Sequence, residues 1–229
     1  MVSPKQIGPR HKRDWYPYYA GYTEEFAGYV VRKHLGDSAK ILDPWSGSGT
    51  TTVACLRAGI SSVGIDINPA LTVIARARLT PRGEAPRLQC IGRTAASSLV
   101  AAQDIGHSDP LSAWMQPRSV RFVRQLQATI ETEINAIKPE ANGLNEASVC
   151  LMHTALFATV RDLLARFRTS NPTWMRFPPT PQHRIAPSPG RILSVLRELG
   201  KQTEADRTLP GGGTLLYRLG NRITVRPAI

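Results

Sequence analysis

Between residues 40 and 79 the chain makes the same move twice: a short apolar run ends on an aspartate, and a helix-patterned segment follows. The first run is KILD, residues 40–43, followed by the turn SGSGT and by Val53, Ala54, Leu56 and Ala58 at helical spacing, with Gly59 as the stop. The second is SVGID, residues 62–66, followed by a helix over residues 69–79 with Pro69 in its first turn. Such a β-loop-α-β-α unit predicts parallel strands with a right-handed crossover, the opening of an α/β, Rossmann-like doubly wound sheet. It puts both aspartates at strand ends, where sheets of this kind hold their ligands.

The rest of the chain divides around this unit. Residues 1–14 are polar, basic and proline-containing, without the periodicity of a packed element, and read as a flexible arm. Residues 15–80 read as the α/β region; Phe26, Tyr29, Val30 and Leu35 predict a leading helix over residues 23–35, with Thr23 as N-cap and Gly36 as stop. Residues 81–205 read as a mostly helical insertion. Its helices are expected over 119–137, 144–167 and 191–199, broken at Asn142 and Gly143 and by a proline-rich loop over 172–189. Residues 206–229 alternate apolar and polar side chains after three glycines and read as a strand or hairpin returning to the sheet. A length of 229 residues suffices for one α/β core carrying such an insertion or for two small domains, and length alone does not decide between them.

Lysine and arginine total 29 against 17 acidic residues, a formal charge of +12 that favours a polyanionic partner such as nucleic acid, although a basic protein without that role has the same balance. Cys55, Cys90 and Cys150 are widely spaced in apolar or helical settings. They argue against a disulfide framework or zinc site and fit core residues of a reducing cytoplasm. The histidines, His11, His34, His107, His153 and His183, have no ligand spacing, so no metal is expected. No apolar run approaches the ~20 residues of a membrane span, and the N-terminus lacks the apolar core of a signal peptide. The expectation is a soluble, cytoplasmic protein.

A strand ending on an acid, a glycine-rich turn and a helix N-terminus make a nucleotide-type pocket, because glycine lets the backbone approach a ligand. The turn is not a P-loop, since no Gly-Lys-Ser/Thr follows, and it lacks the three-glycine dinucleotide fingerprint. Asp66 lies where a ribose diol is held in doubly wound folds, or else caps the helix at Pro69.

The stretch DPWSGSGTT, residues 43–51, resembles the D-P-F-x-G-S-G-T-T signature of the amino-methylating DNA methyltransferases, with Trp45 in place of the phenylalanine. GIDINP, residues 64–69, is similar to the family's G-x-D/E-x-x-P stretch, and YPYYAGYTEEF, residues 16–26, to the segment beside the methionine moiety. The resemblance implies a sheet of the S-adenosylmethionine-dependent methyltransferase type. It also implies S-adenosyl-L-methionine as cofactor, with Asp43, Pro44, Trp45, Gly47, Ser48, Gly49 and Thr50 along its amino-acid portion and Asp66 on its ribose. Tyr18 and Tyr22 either shape the same pocket or pack in the core.

Family members transfer the methyl group with a D/N/S-P-P-Y/F/W tetrapeptide that accepts hydrogen bonds from the target amino group and stacks on the flipped-out base. The sequence contains no intact copy. Asn171, Pro172 and Trp174 form a degenerate candidate, with Thr173 replacing the second proline. The alternative is that a second polypeptide carries the motif; LLYRLGNR, residues 215–222, then resembles the strand that precedes it, with Asn221 in place of the aspartate. The insertion carries Arg118, Arg121, Arg124, Arg161, Arg166, Arg168 and Arg176 beside Phe122, Phe167 and Trp174, a set suited to phosphate contact and stacking or, more blandly, a solvated basic face. Arg121, Arg124, Arg168 and Arg176 are the expected contacts to double-stranded DNA. The expected function is site-specific methylation of adenine or cytosine amino groups in a restriction-modification setting, as one part of a split enzyme. A non-catalytic subunit binding cofactor or DNA is the rival.

Overall fold

The computed structural model describes residues 21–36, 39–79, 109–136, 144–170, 174–205, 214–217 and 222–226. The chain divides into two compact units, one of residues 1–84, 137–154 and 205–229, the other of residues 85–136 and 155–204.

The first unit opens with α1 (Glu24–His34), capped by the Thr23 side chain, which accepts from Phe26 N at 3.2 Å. There follow β1 (Lys40–Asp43), α2 (Thr50–Arg57), β2 (Ser61–Ile65) and α3 (Pro69–Arg78), and the tail supplies β3 (Thr214–Tyr217) and β4 (Arg222–Arg226). β1 and β2 are parallel, in register from Lys40 opposite Ser61 to Asp43 opposite Gly64. Ala27 and Val31 of α1 pack with Ala54 and Cys55 of α2 and with Ile60, and Ile41 of β1 closes this cluster. Val53 of α2 packs with Ala75 and Leu79 at the end of α3. Burial raises the Cys55 thiol above its usual range, so it is core material and not a nucleophile.

One sequence expectation is corrected in this unit. The sheet is mixed, in the order β1-β2-β4-β3, with only β1 and β2 parallel. β3 and β4 pair antiparallel with each other, and β4 lies antiparallel to β2, so the tail enters as a hairpin of two short strands, residues 218–221 lying outside the described residues. α1 and α2 cover the Ile41 face, whereas Leu42 and Ile65 on the other face are 62% and 39% exposed. The expected arm, residues 1–14, and Tyr18 lie outside the described residues.

In the second unit α4 (Pro117–Ala136) buries Val120, Phe122, Val123, Leu126 and Ile130, the recurrence of a helix with one core-facing stripe. α5 (Leu144–Leu163) belongs to the first unit through residue 154 and to the second from residue 155. α6 (Pro189–Ala205) buries Ile192, Val195 and Leu196. α5 stops four residues short of the helix expected to 167, giving way to a 3-10 turn, Ala165–Phe167. The cause lies in the return of the chain: Arg176 N donates to Phe167 O at 2.8 Å and Thr169 N to Trp174 O at 3.2 Å, which demands extended backbone where helix would continue. No described helix is long and apolar enough to cross a membrane.

Candidate functional site

Because β1 and β2 are parallel, their closing aspartates arrive at the same end of the sheet. The turn between β1 and α2 is fastened to the end of β2: Ser46 N donates to Ile65 O at 2.9 Å, and Gly47 N to Asp66 Oδ2 at 2.8 Å. Asn68 N donates to the other carboxylate oxygen at 2.8 Å. Asp66 is 8% exposed, and these two amides offset the cost of burying its charge. It is not the cap of α3; Asn68 is, accepting from Ala70 N at 3.0 Å.

Asp43 is committed to its own turn in the same manner. Oδ1 accepts from Trp45 N at 3.2 Å and Oδ2 from the Thr51 hydroxyl at 2.5 Å. Thr51 spends its one proton on Asp43, so the Tyr22 hydroxyl, in contact with Thr51 Oγ, is the donor there. Burial raises the Tyr22 phenol above its usual value, partly offset by the Thr51 bond and reinforced by the Asp43 charge, which keeps it a neutral donor.

The turn is glycine-built for steric reasons. Gly47 and Gly49 have φ of 52° and 81°, and a Cβ on Gly49 would stand 2.7 Å from the Ala75 side chain. Gly64 of β2 lets the turn lie down on the sheet, since a Cβ there would meet Ser46 Cβ at 2.9 Å. Gly49 is the N-cap of α2 and brings no side chain to the first-turn amides. Trp45 and Ile67, on the loops after β1 and β2, are 80% and 86% exposed, and Tyr22 is 42% exposed.

Three charged residues that the sequence reading passed over hold this frame. Arg78 of α3 donates to Ser48 O at 2.9 Å and Thr50 Oγ at 3.2 Å, and its other terminal nitrogen pairs with Glu24 of α1. The second oxygen of Glu24 takes Arg57 of α2 at 2.5 Å. One carboxylate thus ties α1, α2 and α3 behind the glycine turn. The available signal was Arg76 and Arg78 in a helix otherwise built of Ala, Leu, Val, Ile and Thr after its proline, since charge in a core helix asks for a partner.

Asp43, Pro44, Trp45, Gly47, Ser48, Gly49, Thr50, Asp66 and Tyr22 therefore gather at one end of the first unit. Asn171 and Pro172 lie outside the described residues, and Trp174 is 71% exposed in the second unit. Of the four arginines expected on DNA, Arg121 and Arg176 are exposed. Arg124 is engaged internally, donating to both oxygens of Asp109 at 2.7 and 3.0 Å and to Gln127 at 2.6 Å. Arg168 donates to Arg161 O at 2.6 Å, and burial followed by the Arg161 charge lowers its pKa from the usual arginine value. Among the described residues no group of three or more His, Cys, Asp or Glu side chains is placed to hold a metal ion.

Residues 6–76 match the model of a family described as DNA methylase. Over 70 residues the chain is 37% identical to the Type II methyltransferase M.MjaII of Methanocaldococcus jannaschii, a match covering 31% of this chain and 13% of that protein. Over 57 residues it is 39% identical to the Type II methyltransferase M.BsoBI of Geobacillus stearothermophilus, covering 24% of this chain and 11% of that protein. No solved structure matches.

Proposed function

From the match of residues 6–76 to the DNA methylase family model, we propose that the first unit binds S-adenosyl-L-methionine and serves site-specific methylation of an exocyclic amino group of adenine or cytosine in double-stranded DNA. The observation that carries the reading is the fastening of the glycine turn to Asp66, which brings turn, helix N-terminus and strand-end carboxylate together.

The residues present fit such a ligand. With no side chain at Gly47 or Gly49 and no side-chain cap on α2, the first-turn amides of α2 offer a ligand carboxylate the positive end of the helix. Each Asp66 oxygen accepts one amide and keeps a further lone pair for a ribose hydroxyl. Trp45 and Ile67 supply apolar surface beside these polar groups. When bound, the cofactor supplies a sulfonium methyl for direct in-line transfer to the base nitrogen. The chain orients and shields it, and no Pro-Cys nucleophile is present in the sequence.

The acceptor groups that raise the reactivity of the target nitrogen come from a second polypeptide. The sequence holds no intact tetrapeptide. A restriction-modification role in the cytoplasm accompanies this reading.

Labelled methyl transfer to mixed-sequence duplex DNA is the test, first with this chain and then with the product of the adjacent reading frame added. Incorporation only with the addition supports the split enzyme. Incorporation by the chain alone assigns the chemistry to Asn171, Pro172 and Trp174, whereas cofactor binding without incorporation in either case points to a non-catalytic subunit. Calorimetric titration with S-adenosylmethionine is expected to show binding that Asp66→Ala abolishes; an unchanged dissociation constant would sink the pocket assignment.

A further inference from the structure

In the second unit the chain returns on itself after α5 and enters a loop with prolines at 178, 179, 181, 187 and 189. The loop is held at several points. Gln116 N donates to Ile185 O at 2.8 Å, Ile185 N to Trp114 O at 2.9 Å, Gln116 Nε2 to Pro181 O at 3.1 Å and Ser119 Oγ to Pro187 O at 2.9 Å. On this fixed segment stand two large aromatic side chains in the open, Trp174 at 71% and Phe177 at 69% exposure, with exposed Arg176 between them.

The placement of Phe177 is specific. Its ring lies flat against Trp114, centroids 5.1 Å apart and planes 12° from parallel. The indole is itself pinned, its Nε1 donating to Arg176 O at 2.9 Å. One face of the phenyl ring is therefore taken, and its high exposure leaves surface for a further flat ring. A stack of two side chains built into a rigid loop and open to solvent loses little conformational entropy on accepting a third member.

The surrounding charge selects the kind of ring. Residues 161–191 contain six arginines, no lysine and one acidic residue, Asp162. Arginine pairs with phosphate through a planar fork and stacks on flat π surfaces, so a segment of arginines and exposed aromatics matches a polyanion that carries aromatic rings. A duplex hides the faces of its bases; a single strand, or a nucleotide turned out of a duplex, presents them.

We propose that Phe177 on Trp114 is a stacking platform for an unpaired nucleobase, and that Arg176 contacts the phosphate next to it. This rests on the reading of the chain as part of a DNA-modifying enzyme and deepens it by naming a surface of the second unit that selects unpaired over paired bases.

The test is fluorescence-anisotropy titration of the full chain with a labelled mixed-sequence single strand, the same strand made abasic throughout, and the corresponding duplex. The wild type is expected to bind the single strand tighter than the abasic strand. Phe177→Ala should weaken binding to the base-bearing strand about tenfold and leave the abasic strand within about twofold, since base–aromatic stacking has that order of worth. Phe177→Leu keeps the apolar mass without the flat ring and should behave like the alanine variant, with its circular dichroism unchanged. Arg176→Gln should weaken all three oligonucleotides and lower the salt slope by about one. Equal loss on base-bearing and abasic strands, full affinity in the Leu variant, or no preference by the wild type would each overturn the platform. S-adenosylmethionine affinity, measured in parallel, reports on the first unit: its absence would refute the proposed function while leaving the stacking result to stand or fall separately.

Discussion

The two units use their charged side chains in opposite ways. Around the glycine turn, Glu24 is divided between Arg57 and Arg78, Asp43 serves Trp45 N and Thr51, and Asp66 serves Gly47 N and Asn68 N. Charge is consumed in fixing backbone. In the second unit Asp109 engages Arg124, yet the stretch from 161 to 191 sets one carboxylate against six arginines. A site that must hold a small ligand in one pose needs rigid walls, and internal ion pairs supply them. Arg166, Arg176 and Arg191 of that stretch are exposed, where solvation rather than a carboxylate carries their charge.

The largest effect should come from breaking the rigid side of this contrast. Gly49→Ala forces a Cβ to 2.7 Å from Ala75 at a φ of 81°. Urea unfolding of the full chain should register a loss of about 2–3 kcal/mol, the combined order of backbone strain and overpacking, together with loss of cofactor binding. An alanine variant as stable as the wild type would mean that α3 yields easily and that the frame is softer than its contacts imply.

Arg78→Met should come next. It removes the donor to Ser48 O and Thr50 Oγ and leaves Glu24 with Arg57 alone. With these groups partly solvated, stability should fall by about 1 kcal/mol, while S-adenosylmethionine affinity falls more than Arg121→Met makes it fall. If the two arginine variants bind cofactor alike, Arg78 only props the helices apart from any ligand.

Salt dependence sharpens the other side. Arg121→Gln should reduce the slope of log affinity for DNA against log salt by about one unit, whereas Arg124→Gln, which loses the bond to Asp109, should leave the slope near the wild-type value and lower stability instead. Equal slopes would show that internal pairing does not withdraw Arg124 from DNA. The smallest effect is one of pH. The hydrogen bond from Arg124, aided by Leu111 N and opposed by burial, holds Asp109 below the usual carboxylate pKa. A depressed folded pKa means that the contribution is complete above the unfolded value of about 3.9 and disappears as pH falls through the lower folded one. Acid unfolding of Asp109→Asn should lack this component, which for a half-exposed partner is under about 1 kcal/mol.

The parts legible in the sequence are those written locally. KILD, the glycine turn and the run ending at Asp66 announce themselves by apolar length and by residues that tolerate one backbone geometry, and the strands and turn lie there. Thr23 and Pro69 mark helix starts for the same reason. The Glu24, Arg57 and Arg78 link was illegible because its members are 33 and 54 positions apart and nothing local marks them as partners. The direction of the tail in the sheet depends on which neighbour β4 meets, and the early end of α5 on hydrogen bonds returning from Trp174 and Arg176. The exposed position of Arg121 against the engaged state of Arg124 turns on one aspartate 15 residues before Arg124.

Among the described residues one side of β1 has no strand beside it, and this has a practical meaning for anyone handling this chain. A strand with hydrogen-bonding groups along one flank and Leu42 in the open is a template on which another copy can crystallise its own edge, the first step of sheet-to-sheet clumping. Nature's usual deterrents are here in slight measure: the strand is four residues long and begins with Lys40. Concentrated stocks should cloud before dilute ones lose their fold.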